Sequence, residues 1–228
     1  MAMDDTLLMI LALVPALVVA IVFHEVAHGL AALALGDPTA KEQRRLSLNP
    51  IRHVDPVGTL LVPGALAMFG GPIFGWAKPV PVNKYRLDNP RFGMMAVAAA
   101  GPGTNIVLAA LGAVALGLLA REGVPAEGVG GFAVASLQFF ILINLFLAFF
   151  NLLPIPPFDG SHILEGLLPR SWARAYDRLR PLGMALFFVL VISVWLGPGG
   201  VIFERFIFPP VEWMMLQYEA LARAVAGS

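Results

Sequence analysis

Three stretches of this chain stay apolar for longer than a lipid bilayer requires, and that constrains the fold more than any other feature. Residues 7–35, 92–120 and 131–153 each exceed the roughly 20 residues an α-helix needs to cross the hydrocarbon core. Lipid supplies no hydrogen-bonding partner for exposed backbone, so such segments must be helical. Composition agrees: 58% of the 228 residues are hydrophobic and 13% charged, against about 25% charged in a soluble domain. The chain is therefore expected to be an all-α, multi-pass membrane protein with a single membrane-embedded domain over residues 1–228. Its core is expected at 7–168 and its C-terminal helices at 181–228.

Residues 181–196 read as a further span, and 201–228 as a partly amphipathic end able to form another helix, so the expectation is about 4–6 transmembrane helices. Residues 57–76 are apolar but interrupted by Pro63, Gly64, Gly70, Gly71 and Pro72, which argues against a plain helix. The following "WAKPVPVNKYR" alternates proline with valine and reads as a short extended, β-like stretch. The acidic start "MAMDDT" leads into an apolar run with no small-residue cleavage site, so the first helix is expected to be retained.

Lys and Arg fall unevenly between the apolar segments. Residues 37–57 carry Lys41, Arg44, Arg45 and Arg52; residues 77–91 carry four more and residues 170–180 another four, whereas the loops around Arg121 and Arg205 carry one each. The positive-inside rule makes the three rich loops cytoplasmic. Because residues 57–76 leave one such loop and enter another, they are expected to dip into the membrane and return. Irregular backbone at membrane depth survives only where it is buried in protein or lines a watery cavity, so a cavity is expected on the cytoplasmic side.

Ionisable groups inside the first span supply the chemistry. His24, Glu25 and His28 spell H-E-x-x-H, which on a helix puts two imidazoles on one face a turn apart, able to share a tetrahedral Zn²⁺, with Glu25 beside the first ligand as general base. A charge at bilayer depth costs at least about 2.5 kcal/mol, so intramembrane ionisable residues are functional by default. The chain has no cysteine, so a metal must be held by His, Asp or Glu. A catalytic zinc keeps three protein ligands. Elimination of acids that sit in evident loops, or too near the same helix, leaves residues 151–166, where Asp159 ranks first as third ligand and His162 second.

These residues match a family. "FHEVAHG" within a span, followed by "NLLPIPPFDGSHIL", resembles the site-2 proteases, zinc metalloproteases that cut substrates within or near the membrane. The resemblance covers residues 23–168 and implies one Zn²⁺ on His24, His28 and Asp159, Glu25 as base, and Asn151 as the asparagine of the N-x-x-P-x-x-P-x-D-G motif. It extends through "FGWAKPVPVN" at 74–83, similar to a segment that pairs with substrate as an added strand and holding Lys78, Pro79 and Val80, and through "GPGTN" at 101–105. Ser161 stands where the family commonly has a second glycine, and no stretch is long enough for an appended PDZ or nucleotide-binding domain.

Other polar residues carry expectations of their own. Asn105 and Asn144 either cross-link helices or orient substrate; Asn151 contacts substrate or the oxyanion; His162 supports a ligating group; His53 is interfacial. The small residues of "AAAGPG" let their helix approach its neighbours closely. The function expected is intramembrane proteolysis of a membrane-protein substrate, typically one with a single transmembrane helix, at a zinc site near the cytoplasmic face of the cell membrane. A zero net charge argues against a nucleic-acid partner. The alternative is a metal-ion transporter using His24, His28 and Asp159 as a transit site, which needs further His, Asp or Glu along a path through the bilayer. Four histidines are too few for a multi-histidine oxidase, and no G-x-S-x-G supports a serine protease.

Overall fold

The computed structural model describes residues 3–68, 75–125, 127–195, 197 and 200–227, and these are helical wherever they are regular. Three helices are long and apolar enough to cross a membrane. They are α1 (Met3–Ala34), α4 (Pro90–Arg121) and α5 (Gly128–Asn151). The loop after α1 carries the short α2 (Thr39–Glu42) and a 3₁₀ turn at Pro50–His53. A π-helical turn at Pro56–Leu61 then runs into α3 (Val62–Met68). Beyond α5 lie α6 (Asp159–Leu167), α7 (Arg170–Asp177), α8 (Gly183–Trp195), α9 (Gly200–Ile202) and, after a second π turn, α10 (Phe208–Ala226).

α4 is the central element and packs against α1, α5, α6 and α10. Its start is set by Asn89, whose side chain accepts from the Arg91 and Phe92 amides, with Pro90 at the first helical position where no N–H is missed. The main apolar core lies between α4, α5, α8 and α10 around Leu145, Phe158, Phe187 and Ile207. α10 closes against α4 through the Tyr218 hydroxyl, which donates to the Ile106 carbonyl at 2.9 Å. Gly117 permits that approach, because an added Cβ would meet the Ala222 carbonyl at 2.4 Å.

The structure departs from the expected elements in three places. The span expected at 181–196 is a 13-residue helix, α8, preceded by a 3₁₀ turn at Arg180–Leu182. At 1.5 Å per residue it covers about 20 Å, short of a bilayer core; Leu196 lies outside the described residues. Residues 57–68 are helical in spite of Pro63 and Gly64, but not as one plain helix: the π turn at Pro56–Leu61 runs directly into α3, and Pro63 there removes one ladder bond. Residues 69–74 of that segment lie outside the described residues. The stretch at 75–83 is irregular rather than a strand, since its two backbone bonds to the 53–58 segment do not continue into a ladder among the described residues. It is pinned by its flanks: the Trp76 amide donates to Gly58 O at 3.1 Å and the Lys78 amide to His53 O at 2.8 Å. The chain that leaves at Gly58 thus returns to the same point at Trp76.

Candidate metal centre

His24 and His28 lie one turn apart on α1, and Asp159 opens α6, where the helix N-terminus favours a carboxylate. The three side chains converge. The two Nε2 atoms are 3.0 Å apart, and Asp159 Oδ2 lies 3.1 Å from His24 Nε2 and 3.3 Å from His28 Nε2. Ligand atoms about 2.0–2.1 Å from a tetrahedral ion stand about 3.3 Å from one another, so this triangle has the size of one face of such a shell.

The second ring nitrogens decide what the triangle is for. His24 Nδ1 lies 2.6 Å from Asn105 Oδ1, and His28 Nδ1 lies 2.7 Å from the Val97 carbonyl. Both acceptors require Nδ1 to carry the proton, which leaves a lone pair on each Nε2 pointing at Asp159. Asp159 Oδ2 is itself buried and accepts no hydrogen bond. Three acceptors with no donor between them are unfavourable in a buried site unless a cation sits among them. The residues present therefore fit a metal ion, and among the described residues this is the group of three or more His, Asp or Glu able to hold one.

Sequence devices place each ligand. Gly101 on α4 lies against the imidazoles: an added Cβ would stand 2.5 Å from His28 Cε1 and Nε2 and 2.6 Å from His24 Cε1. Pro102, lacking an N–H, removes the ladder bond to the Ala98 carbonyl, one residue after the Val97 carbonyl that His28 uses. Asn105 also donates to the Ala20 carbonyl at 3.1 Å and to Asn144 Oδ1 at 2.8 Å, so one amide ties α1, α4 and α5 together. Gly160 lets α6 start against the preceding loop, where a Cβ would meet Leu152 O at 2.1 Å. At the other end of α6, Arg91 donates to the carbonyls of Gly166 and Leu168.

Glu25 points to the same space. Its Oε2 accepts from the Val80 amide at 2.7 Å, which fastens the carboxylate to the segment at 75–83. Two cavities meet at His24, Glu25, Asn151 and Pro157. One, of about 690 Å³, holds the polar groups Asn83, Lys84, Arg91, His162, Glu165 and Arg180 in its wall, with Val82, Met94 and Val97 between them. The other, of about 460 Å³, is lined by Leu17, Ile21, Trp76, Phe146, Leu147 and Phe187 among others.

The family model of peptidase family M50 matches residues 126–194. YwhC of Bacillus subtilis (strain 168) is 40% identical over 198 residues, covering 84% of this chain and 86% of its own. The chain belongs to peptidase family M50. Rip2 of Mycolicibacterium smegmatis is 30% identical over 190 residues, covering 83% of this M50 chain and 67% of its own. MJ0611 of Methanocaldococcus jannaschii is 42% identical over 77 residues, covering 34% and 36%. All three are provisionally named zinc metalloproteases. No solved structure matches at the same stringency.

In this M50 chain the structure brings together His24, Glu25, His28 and Asp159, the four residues singled out by motif and elimination. Asn151 lines both cavities, with one amide hydrogen donated to the Leu147 carbonyl at 2.9 Å. Lys78, Pro79 and Val80 divide: the Val80 amide reaches Glu25 and Pro79 lines the polar cavity, whereas the Lys78 carbonyl accepts from Arg45. Asn144 cross-links helices through Asn105. His53 is buried within the protein, its Nε2 2.7 Å from the Ser47 carbonyl, and is not among the residues that converge at the centre. Among the described residues His162 makes no hydrogen bond to a candidate metal ligand. It lies on the wall of the polar cavity within reach of Arg180 Nη1, and burial together with that guanidinium holds its pKa down to about 4. The supports that motif reading missed are Val97, whose carbonyl bears no residue-specific signature, and Gly101, whose signal was the small-residue run "AAAGPG".

Proposed function

We propose that the protein is a zinc-dependent intramembrane endopeptidase that cuts transmembrane or membrane-proximal segments of other membrane proteins. The observation that carries this reading is the convergence of His24, His28 and Asp159 lone pairs with Glu25 alongside. Zn²⁺, the cofactor, polarises the scissile carbonyl and lowers the pKa of the attacking water when bound. Asn105 and the Val97 carbonyl hold both imidazoles in the tautomer a metal requires. Glu25 has one carboxylate oxygen occupied by the Val80 amide, and its other oxygen takes the proton of the attacking water and passes it to the leaving amine. Asn151 keeps one amide hydrogen for the oxyanion or the substrate backbone.

A helical substrate must unwind before its carbonyl is open to attack. The segment at 77–83 suits an extended peptide. Pro79 and Pro81 bring no N–H, and the carbonyls of residues 79–82 accept no hydrogen bond among the described residues, so they offer acceptors for strand addition. The segment's own position is held at Val80 by Glu25 and at Asn83 by Asp37, whose Oδ2 lies 2.6 Å from the Asn83 amide.

We place the active site toward the cytoplasmic side of the cell membrane. The three Lys- and Arg-rich loops gather around it: Arg45 reaches the Lys78 carbonyl, Arg91 grips the end of α6, and Arg180 pairs with Glu165 on the wall of the larger cavity. Residues 57–76 dip into the membrane and return, a reading supported by the closure of Gly58 on Trp76. α1, α4 and α5 then cross, and the 19-residue α10 supplies a further pass of a chain with about 4–6, while α8 is too short to cross alone. The transporter alternative finds no favour, since among the described residues a second metal-capable cluster along a path is lacking. Removing metal with a chelator should abolish cleavage of a reporter transmembrane peptide and Zn²⁺ should restore it; metal transport without cleavage would overturn the proposal.

A further inference from the structure

The two cavities that meet at the metal centre differ in kind. They share His24, Glu25, Asn151 and Pro157, and on one side the wall is mixed, carrying the charged and polar groups of Lys84, Arg91, His162, Glu165 and Arg180 among apolar ones such as Val82 and Met94. On the other side it continues through Leu17, Ile21, Trp76, Phe146, Leu147 and Phe187, so that apart from the shared residues almost no polar group faces inward. Protein interiors leave few voids larger than a water molecule, and a volume of about 460 Å³ falls in the range of ligand sites. Its polar end is the reacting centre itself. Substrate backbone lying between Glu25 and the metal ligands must therefore send its flanking side chains into two unlike spaces.

We propose that the site reads a step in polarity across the scissile bond: one flanking residue inserts a large apolar side chain into the cavity beside Ile21, Trp76 and Phe146, while the other flank lies in the cavity lined by Lys84, Arg91, His162 and Arg180. This rests on the protease reading above and adds what it selects. A small or charged side chain on the apolar flank leaves the aromatic wall wet or buries an unpaired polar group. A large apolar side chain on the polar flank displaces water from Lys84 and from the Arg180–Glu165–Asp177 ion pairs without replacing their hydrogen bonds. The preferred cut is thus the junction of an apolar and a polar stretch, as at the end of a transmembrane helix, and not the middle of a uniform one.

The test uses the full-length, zinc-loaded protein and reporter transmembrane peptides that differ only at the two residues flanking the mapped cut. Phe or Leu on the apolar flank should raise kcat/KM about tenfold to a hundredfold over Ala or Asp, while the other flank should accept Ser, Asp or Lys and lose rate with Phe. Ile21→Trp, which fills the apolar cavity one turn before Glu25, should make the Ala peptide the better substrate; Ile21→Ala should favour the largest side chains further. Bound zinc reports whether each variant folds, and Ile21→Ala decides if Ile21→Trp loses its metal. Rates level across the series, or an order unchanged by the Ile21 variant that binds zinc, would overturn the inference alone. No cleavage of any peptide by the zinc-loaded wild type would overturn the protease reading and the inference with it.

Discussion

Glu25 Oε2 accepts the Val80 amide hydrogen at 2.7 Å, so the candidate base and the segment able to receive an extended substrate are fixed to one another. A group that must take a proton in one step and return it in the next gains from being held in one rotamer. Val80→Pro removes the donor and should lower kcat about tenfold or more while bound zinc stays near one per chain. Val80→Ala keeps the N–H and should hold kcat within a few-fold. Single-turnover cleavage and metal content of the two variants check this.

Asn105 acts on the metal through His24. Its Oδ1 accepts from His24 Nδ1 while its amide bonds Ala20 and Asn144. Asn105→Ala should weaken zinc binding by about 10–100-fold, read by competition with a chelating dye. It should also cost about 1–3 kcal/mol of stability, because Asn144 Oδ1 and Ala20 O lose their donor in a buried place.

Gly101→Ala tests the close approach of α4 to the imidazoles. The new Cβ would lie 2.5–2.6 Å from ring atoms of His28 and His24, nearer than carbon atoms tolerate, so rings or helix must move. The expected outcome is a loss of about 1–3 kcal/mol from overpacking together with loss of bound zinc. Gly103→Ala on the same helix meets nothing within 4 Å and should differ from wild type by the small gain of a Gly-to-Ala change in a helix.

The anchor at Asp37 makes stability depend on pH. Burial alone would raise this carboxyl, but the Thr39 hydroxyl, the amides of Asn83 and Thr39 and the Arg86 guanidinium outweigh it and hold its pKa below the usual value. The folded state therefore binds this proton less readily than the unfolded chain. The stabilisation is complete above the ordinary carboxylate pKa of about 3.9 and is lost as pH falls through the lowered folded value. Thermal unfolding of the metal-free protein in detergent should show this loss below pH 4, and Asp37→Asn should be less stable at pH 7 with a shallower acid limb.

How much of this was legible beforehand follows from where the information sits. His24, Glu25 and His28 share one helix turn, so spacing alone places them, and Asp159 was reached because few acids accompany apolar segments. Their supports were not legible: Val97 acts through a carbonyl, Val80 through an amide, and any residue could offer either. Asn105 was visible as a buried amide, but its choice of His24 over substrate depends on how α4 registers against α1. His162 sits one turn beyond Asp159 in sequence, which invited a supporting role, yet Arg180 engages it from the start of the α8 region. Residues 57–68 form a π turn that runs into α3, and how far a helix tolerates a breaker such as Pro63 depends on packing that residue spacing does not show.

The most direct measurement is cleavage of a reporter transmembrane peptide by purified wild type and Glu25→Gln, with zinc content determined on the same samples. The isosteric amide cannot accept the water's proton but leaves His24, His28 and Asp159 untouched. The expected result is about one zinc per chain in both proteins, with cleavage by the wild type and a rate lowered by at least about a hundredfold in the variant. Wild-type cleavage that persists at full rate in Glu25→Gln, or zinc that stays bound after His24, His28 and Asp159 are each replaced by Ala, would contradict it.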